Sequence, residues 1–185
     1  MKRIIDLGMA SMLILIFFPL FLIIAIAIKL ESRGAIFFRH VRVGKDEKTF
    51  LMWKFRTMID GADKAGPGLT KDRDPRITKV GRLLRRVSLD ELPQLFNVVR
   101  GEMSIVGPRP EIPEMVQTYS EQQKRALSIK PGLTGLSQVN GRDDLPINDK
   151  LKYEIEYVEK SSLILDLKIL LKTVPAILNG RGNRY

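Results

Sequence analysis

The chain opens on an apolar run. Residues 7–28, LGMASMLILIFFPLFLIIAIAI, contain no charged side chain, and as a helix they would extend about 33 Å, enough to cross a hydrocarbon core of about 30 Å. Pro19 falls in the middle, where proline removes a helix hydrogen bond, so a kink is expected. Lys2 and Arg3 precede the run and residues 29–56 are rich in Lys and Arg. Three readings stay open: a spanning helix, a cleaved leader with Ala25-Ile26-Ala27 at its processing site, and a bent segment that re-enters the leaflet it came from. The flanking charges would keep both ends on one face and, with the proline, favour the third. A broken backbone in lipid must then be covered by protein.

Past this anchor the periodicity changes. Residues 35–43 and 50–58 are rich in Phe, Val, Trp and Met around a polar stretch from Gly44 to Lys48, which predicts a β-hairpin. In its second strand Lys54 and Arg56 are two apart and share a face, opposite Leu51, Trp53 and Phe55. Residues 60–75 read as a polar Gly/Pro-rich loop. From 76 to 87, Ile77, Val80, Leu83, Leu84 and Val87 recur at helical spacing among Arg76, Lys79, Arg82, Arg85 and Arg86. Such a basic amphipathic helix lies in the headgroup plane or faces the cytosol. One polar helix is predicted over 111–128 and another over 149–160, the latter capped by Asn148. The closing SSLILDLKILLKTVPAIL predicts an interfacial or core helix broken near Pro175. The fold class is α+β and mostly helical, with a small β-hairpin and amphipathic helices around one compact unit.

Charge narrows the partners. Lys plus Arg number 31 against 21 acids, a net +10, which suits acidic headgroups or phosphorylated substrates. Nucleic acid is disfavoured, because aromatic interleaving is sparse and no standard motif shows. The absence of Cys removes disulfides and thiol nucleophiles, and His40 is the sole histidine. Carboxylates must therefore carry any chemistry.

The chemistry concentrates between Arg85 and Pro110, RRVSLDELPQLFNVVRGEMSIVGPRP. Asp90-Glu91 stands at a predicted helix start beside basic residues, a setting that attracts phosphate. Either Ser88 caps that helix, with Glu91 completing a capping box, or Asp90 is itself the cap and Pro93 falls in the first turn. The second is preferred. Arg109, between two prolines, is held on a stiff turn suited to fork-like binding of phosphate oxygens. Lys130-Pro131-Gly132 and Asn140-Gly141-Arg142 add further turns and a guanidinium, while Gln138 and Asn140 offer amides that could read a base or a sugar. Asp72-Arg73-Asp74 is a DxD triplet of the kind that holds a divalent metal in many glycosyltransferases, and no P-loop pattern appears.

The strings SLDELPQLFNV…GEMSIVGPRP and KPGLTGLSQVNGR resemble the monotopic phosphoglycosyl transferases, the bacterial sugar transferases. The likeness runs from about residue 2 to residue 172. It implies that residues 1–30 form a re-entrant membrane helix, broken in the family at a Ser-Pro pair where this chain has Phe18-Pro19. Residues 31–185 would form the catalytic domain on the cytoplasmic face of the bacterial inner membrane, one folded unit with the anchor. The resemblance is to the minimal form, without extra transmembrane helices. By position it implies Asp90 as nucleophile, Glu91 as its partner, and Mg²⁺ at Asp90 and the donor diphosphate. The implied reaction moves a phosphosugar from a UDP-sugar to polyprenyl (undecaprenyl) phosphate and releases UMP, as the first membrane step of glycoconjugate or exopolysaccharide assembly. The expected substrate-binding set is Lys54, Arg56, Arg86, Gln94, Asn97, Arg109, Gln138, Asn140 and Arg142. Expected partners include the acidic inner leaflet, with a homodimer left open. Two other readings remain: a direct metal-dependent glycosyltransferase using Asp72 and Asp74, and a non-enzymatic basic protein of the membrane surface.

Overall fold

The computed structural model describes residues 1–62 and 74–178. Helix α1, Lys2–Glu31, is continuous over 30 residues with Pro19 inside it. The helical assignment runs through Phe18-Pro19, and packing holds the helix on both sides of the proline. Ala10 enters a core cluster with Met52, Leu95, Val98, Ile105, Tyr157 and Ile169. Phe21, Ile24 and Ile28 enter a second with Phe55 and Leu84. The opposite face, including Leu15, Ile16, Phe18, Leu22, Ile23 and Ile26, is apolar and exposed.

Both ends of α1 are tied to the same body. At the start, Lys2 pairs with Asp166 and Tyr157, Arg3 reaches the Val99 carbonyl at 2.8 Å, and the buried Asp6 accepts from Ser104 Oγ at 2.8 Å and Ile105 N at 3.1 Å. At the end, Glu31 accepts the main-chain N–H groups of Lys79 and Val80 at 2.6 and 2.9 Å. These first N–H groups of a helix have no partner within it.

The hairpin forms as predicted, with β1 (Phe37–Val43) antiparallel to β2 (Thr49–Phe55). Its register places Phe38 opposite Lys54, His40 opposite Met52 and Arg42 opposite Phe50, so these six share one face. Helix α2, Lys79–Arg86, starts at Thr78, whose side chain accepts from Gly81 N. Helix α3, Gln94–Arg100, is followed by β3, Ser104–Val106.

The single helix predicted over 111–128 is instead two short ones, α4 (Pro113–Val116) and α5 (Glu121–Lys124), the second started by a capping box at Ser120. That local cap restarts the helix. Strand β4, Gly132–Thr134, runs parallel to β3. A Cβ on Gly132 would collide with the main-chain nitrogen of Gly107, so only glycine permits this approach. Helix α6, Leu136–Val139, leads to α7, Ile147–Lys160, which begins after Pro146. Asn148 lies inside that helix and does not cap it. Helix α8, Leu163–Leu178, continues through Pro175. It buries Asp166 and Ile169 and exposes Leu163, Ile164, Leu167, Leu171 and Val174.

Candidate active site

Asp90 and Glu91 lie in a single 3₁₀ turn, Leu89–Glu91, ahead of α3. Neither Ser88 nor Asp90 makes a side-chain cap, and the helix begins only after Pro93. Both expected capping roles are absent, so the Asp90 carboxylate is not spent on the helix. Ser88 adopts φ 55°, a left-handed conformation that costs a non-glycine residue of order 1 kcal/mol. This turns the chain sharply from α2 into the acidic pair.

The two carboxyls are buried to 7 % and 9 % exposure but differ in environment. Lys54 Nζ donates to Glu91 Oε1 at 2.8 Å and Arg109 Nη2 approaches the same oxygen at 3.7 Å. Burial alone would push the Glu91 carboxyl up, but Lys54, Arg109 and Arg142 together hold it well below the usual carboxylate range. Asp90 moves the other way. Its burial pushes the carboxyl up; Lys54 and Arg85 offset part of this, and the Glu91 charge adds to the rise. Adjacent acids thus titrate apart, a pattern typical of functional pairs.

The expected substrate residues divide. Lys54, Gln94 and Arg109 line one cleft with Glu91, and Arg142 Nη2 donates to Ser88 Oγ at 3.0 Å while its charge acts on Glu91. The others lie elsewhere. Arg56 follows the last residue of β2 and turns back to α1, donating to the Ser32 carbonyl at 2.9 Å and to the Arg33 carbonyl. It finishes the anchor helix. Asn97, fully buried, accepts from Trp53 N at 3.0 Å and donates to the Leu51 carbonyl and Glu102, both at 2.7 Å. Two of these bonds join α3 to the hairpin, and the third goes to Glu102 just beyond α3. Gln138 donates to the Leu133 carbonyl at 3.0 Å, and Asn140 to that of Leu136 at 2.8 Å, local bonds within the β4–α6 segment. Arg86 is exposed on α2, and its neighbour Arg85 is the one whose charge reaches Asp90.

Arg42 and Arg85 join the site beyond the residues expected from the sequence. Arg42 lines the cleft because it shares the Lys54 face of the hairpin, a consequence of register. Its Nη1 reaches the Pro110 carbonyl at 3.5 Å. Arg85 donates to Thr57 Oγ1 at 2.9 Å. His40 is on the same hairpin face, where burial and the Arg42 and Lys54 charges lower its pKa. It stays a neutral side chain. Asp74 is held by Arg76 through Nε at 3.0 Å and Nη2 at 2.7 Å, and Asp72 lies outside the described residues. Among the described residues no cluster of three acidic or histidine ligands could cage a metal by itself.

The site is therefore two buried carboxyls among Lys54, Arg85, Arg109 and Arg142, in a chain whose first helix has an exposed apolar face. This is the constitution of an enzyme acting on phosphate at a membrane. The bacterial sugar transferase family matches residues 1–180, and the chain belongs to it. It is a phosphoglycosyl transferase. The chain is 40% identical over 197 residues to the exopolysaccharide production protein ExoY of Rhizobium meliloti, covering 98% of this chain and 87% of that protein. It is 41% identical over 193 residues to the undecaprenyl-phosphate glucose phosphotransferase of Komagataeibacter xylinus, covering 98% of this chain and 36% of that protein. It is also 42% identical over 185 residues to a UDP-glucose:undecaprenyl-phosphate glucose-1-phosphate transferase of Caulobacter vibrioides, covering 96% of this chain and 69% of that protein.

Proposed function

We propose that this enzyme transfers a phosphosugar from a UDP-sugar to polyprenyl phosphate through a covalent adduct on Asp90. The observation that carries the reading is the split between the acids: Glu91 is engaged by Lys54 and Arg109, while Asp90 has no such direct ion pair among the described residues. An Asp90 oxygen attacks the β-phosphorus of the donor. The bond to the α–β bridging oxygen breaks, and UMP leaves with that oxygen and its electron pair. An oxygen of polyprenyl phosphate then attacks the same phosphorus, releasing the Asp90 carboxylate and forming polyprenyl-diphosphate sugar. Splitting the transfer gives ping-pong kinetics.

Arg109 and Arg142 are placed to offset the charge that would repel a carboxylate from a diphosphate. Lys54 keeps Glu91 ionised, and Glu91 holds Lys54 and Arg109 beside Asp90. One carboxylate plus substrate phosphates is a common way to hold Mg²⁺, and Asp90 with the donor diphosphate supplies that hard-oxygen set. The ion, when bound, would neutralise developing phosphate charge. It would also favour ionised Asp90.

The membrane placement follows from α1. Its outer face is apolar and needs lipid, yet both of its ends bond to one body. A straight spanning helix would send its ends to opposite surfaces, so this supports a re-entrant, monotopic anchor with the catalytic body at the cytoplasmic face. Acidic headgroups match the net charge. The direct glycosyltransferase reading has no observation in its favour, because Asp74 is committed to Arg76.

The test is intact-mass spectrometry after rapid quench with UDP-sugar alone. A phosphosugar mass gained by the wild type and absent from Asp90→Asn, with UMP as the nucleotide product, is expected. Full turnover without an adduct, or UDP as product, would sink the mechanism. The native chain lacks cysteine, so single-cysteine variants at the N-terminus and at residue 60 report topology cleanly. Labelling from opposite sides rejects the re-entrant anchor.

A further inference from the structure

Helix α7 carries a carboxylate where its inward face is otherwise built for packing. Leu151, Glu154 and Tyr157 recur at three-residue spacing and all are buried, Glu154 to 5 % exposure. A carboxyl without water needs partners. One oxygen of Glu154, Oε1, accepts from the Ser137 hydroxyl of α6. The Arg109 main-chain N–H also favours its charged form, while Oε2 is buried without a hydrogen-bond partner among the described residues. The same carboxyl forms the rear wall of a small cavity shared with Pro108, Arg109, Glu111 and Tyr119. It thus joins the Gly107–Pro110 turn to the start of α6, behind the guanidinium that reaches Glu91.

We propose that Glu154 is a positioning residue for the donor half-reaction, fixing through Ser137 and the Arg109 main chain the turn that aims the Arg109 guanidinium at the donor diphosphate. This rests on the reading of Asp90 as nucleophile toward a UDP-sugar. The turn is held at three points. Gly107 N donates to the Thr134 carbonyl at 2.9 Å and Gly132 N to the Pro108 carbonyl at 2.8 Å, which hold its entry. Arg42 Nη1 at the Pro110 carbonyl holds its exit. Glu154 bears on Arg109 between them, the residue whose guanidinium approaches Glu91.

Protonation should modulate this support. Burial pushes the Glu154 carboxyl up, and Ser137 and Arg109 offset this only in part, leaving it at about 7. The groups that face it are Arg109 of the turn and Glu111 just after it, Lys150 and Tyr119 in the cavity lining, Ser137 from α6, and the Tyr157 phenol. Burial raises both phenols, so they stay neutral through this range. As pH falls through about 7, Glu154 takes up a proton and loses its attraction for Arg109. Glutamine keeps the shape of the protonated acid, so Glu154→Gln mimics the low-pH form.

The experiment measures UMP release by the full-length enzyme in lipid nanodiscs, using UDP-glucose (or whichever UDP-sugar in a panel is turned over) and undecaprenyl phosphate. The pH runs from about 5.5 to about 9, and the proteins are wild type, Glu154→Gln and Ser137→Ala. At the alkaline end, Glu154→Gln is expected to lower kcat/KM for the donor about tenfold and Ser137→Ala about threefold, with kcat/KM for the acceptor within about twofold. The acid limb near 7 should vanish in Glu154→Gln. A Glu154→Gln enzyme that keeps the wild-type donor kcat/KM and limb overturns the proposal, as does an equal loss in both half-reactions. If Glu154→Gln does not fold, Ser137→Ala decides by the same donor-against-acceptor comparison. A wild type that releases no UMP from any UDP-sugar rejects the donor assignment itself, and this proposal with it.

Discussion

Lys54 Nζ sits 2.8 Å from Glu91 Oε1, and this pairing makes two adjacent acids chemically unequal. Lys54 reaches across from the hairpin to the turn before α3, so a long-range contact sets the ionisation of a local sequence pair. Glu91 is held charged, and its charge in turn makes Asp90 harder to ionise.

The first prediction concerns pH. Asp90 is raised, so its carboxylate, and with it adduct formation, is lost as pH falls through a value above the ordinary aspartate range. Glu91→Gln removes a neighbouring negative charge and leaves Lys54 to act on Asp90. The acid limb of single-turnover adduct formation should then move down by about one pH unit. Lys54→Met should move it up. A limb unmoved by either substitution would show that the two carboxyls do not sense each other.

Asp90→Asn should be inactive but no less stable. Because the native carboxyl is raised above its unfolded value, ionised Asp90 costs folding free energy at neutral pH, about 1.4 kcal/mol for every tenfold weakening of the acid on folding. An amide removes that cost. Thermal unfolding at pH 7 and at pH 4 checks the sign: the gain should be largest at the higher pH, where the wild-type carboxyl is charged. A lower Tm at pH 7 would contradict the burial argument.

Asn97→Ala should behave as a structural lesion. Its amide bonds Leu51, Trp53 and Glu102, and leaving buried main-chain groups unpaired costs about 1–3 kcal/mol each. Unfolding should shift markedly, while KM for the donor in the folded fraction stays near the wild-type value. A raised KM with unchanged Tm would return Asn97 to the binding site.

What the sequence made legible was local. The apolar run, the hairpin from its alternation and the basic helix over 76–87 are properties of neighbouring residues, and the strings around Asp90 and Arg109 carry the family. What it hid depends on distant partners. Whether Asn97 reads a substrate or a strand edge is decided by where Leu51 lands. Arg56 seemed paired with Lys54 by strand alternation, but β2 ends one residue before it and its side chain goes to Ser32. Arg42 could have been found by counting hairpin register from the turn. The helix over 111–128 failed for a local reason, since Ser120 with Gln123 forms a capping box in a stretch read only for polarity.

The last prediction tests whether the anchor is a tether or part of the fold. Asp6 is a carboxylate at the head of an apolar helix, buried against β3, where Ser104 Oγ and Ile105 N donate to its two oxygens. Asp6→Ala leaves the Ile105 N–H buried without an acceptor and should cost about 1–3 kcal/mol. Asp6→Asn should cost less, because its carbonyl can still accept from Ile105 while its NH₂ meets a Ser104 hydroxyl able to rotate and accept. Thermal unfolding in detergent, followed through the single tryptophan Trp53 in the hairpin, reads both variants at a point remote from the substitution. A separable tether predicts no change in either; an anchor built into the core predicts a graded loss, alanine well below asparagine.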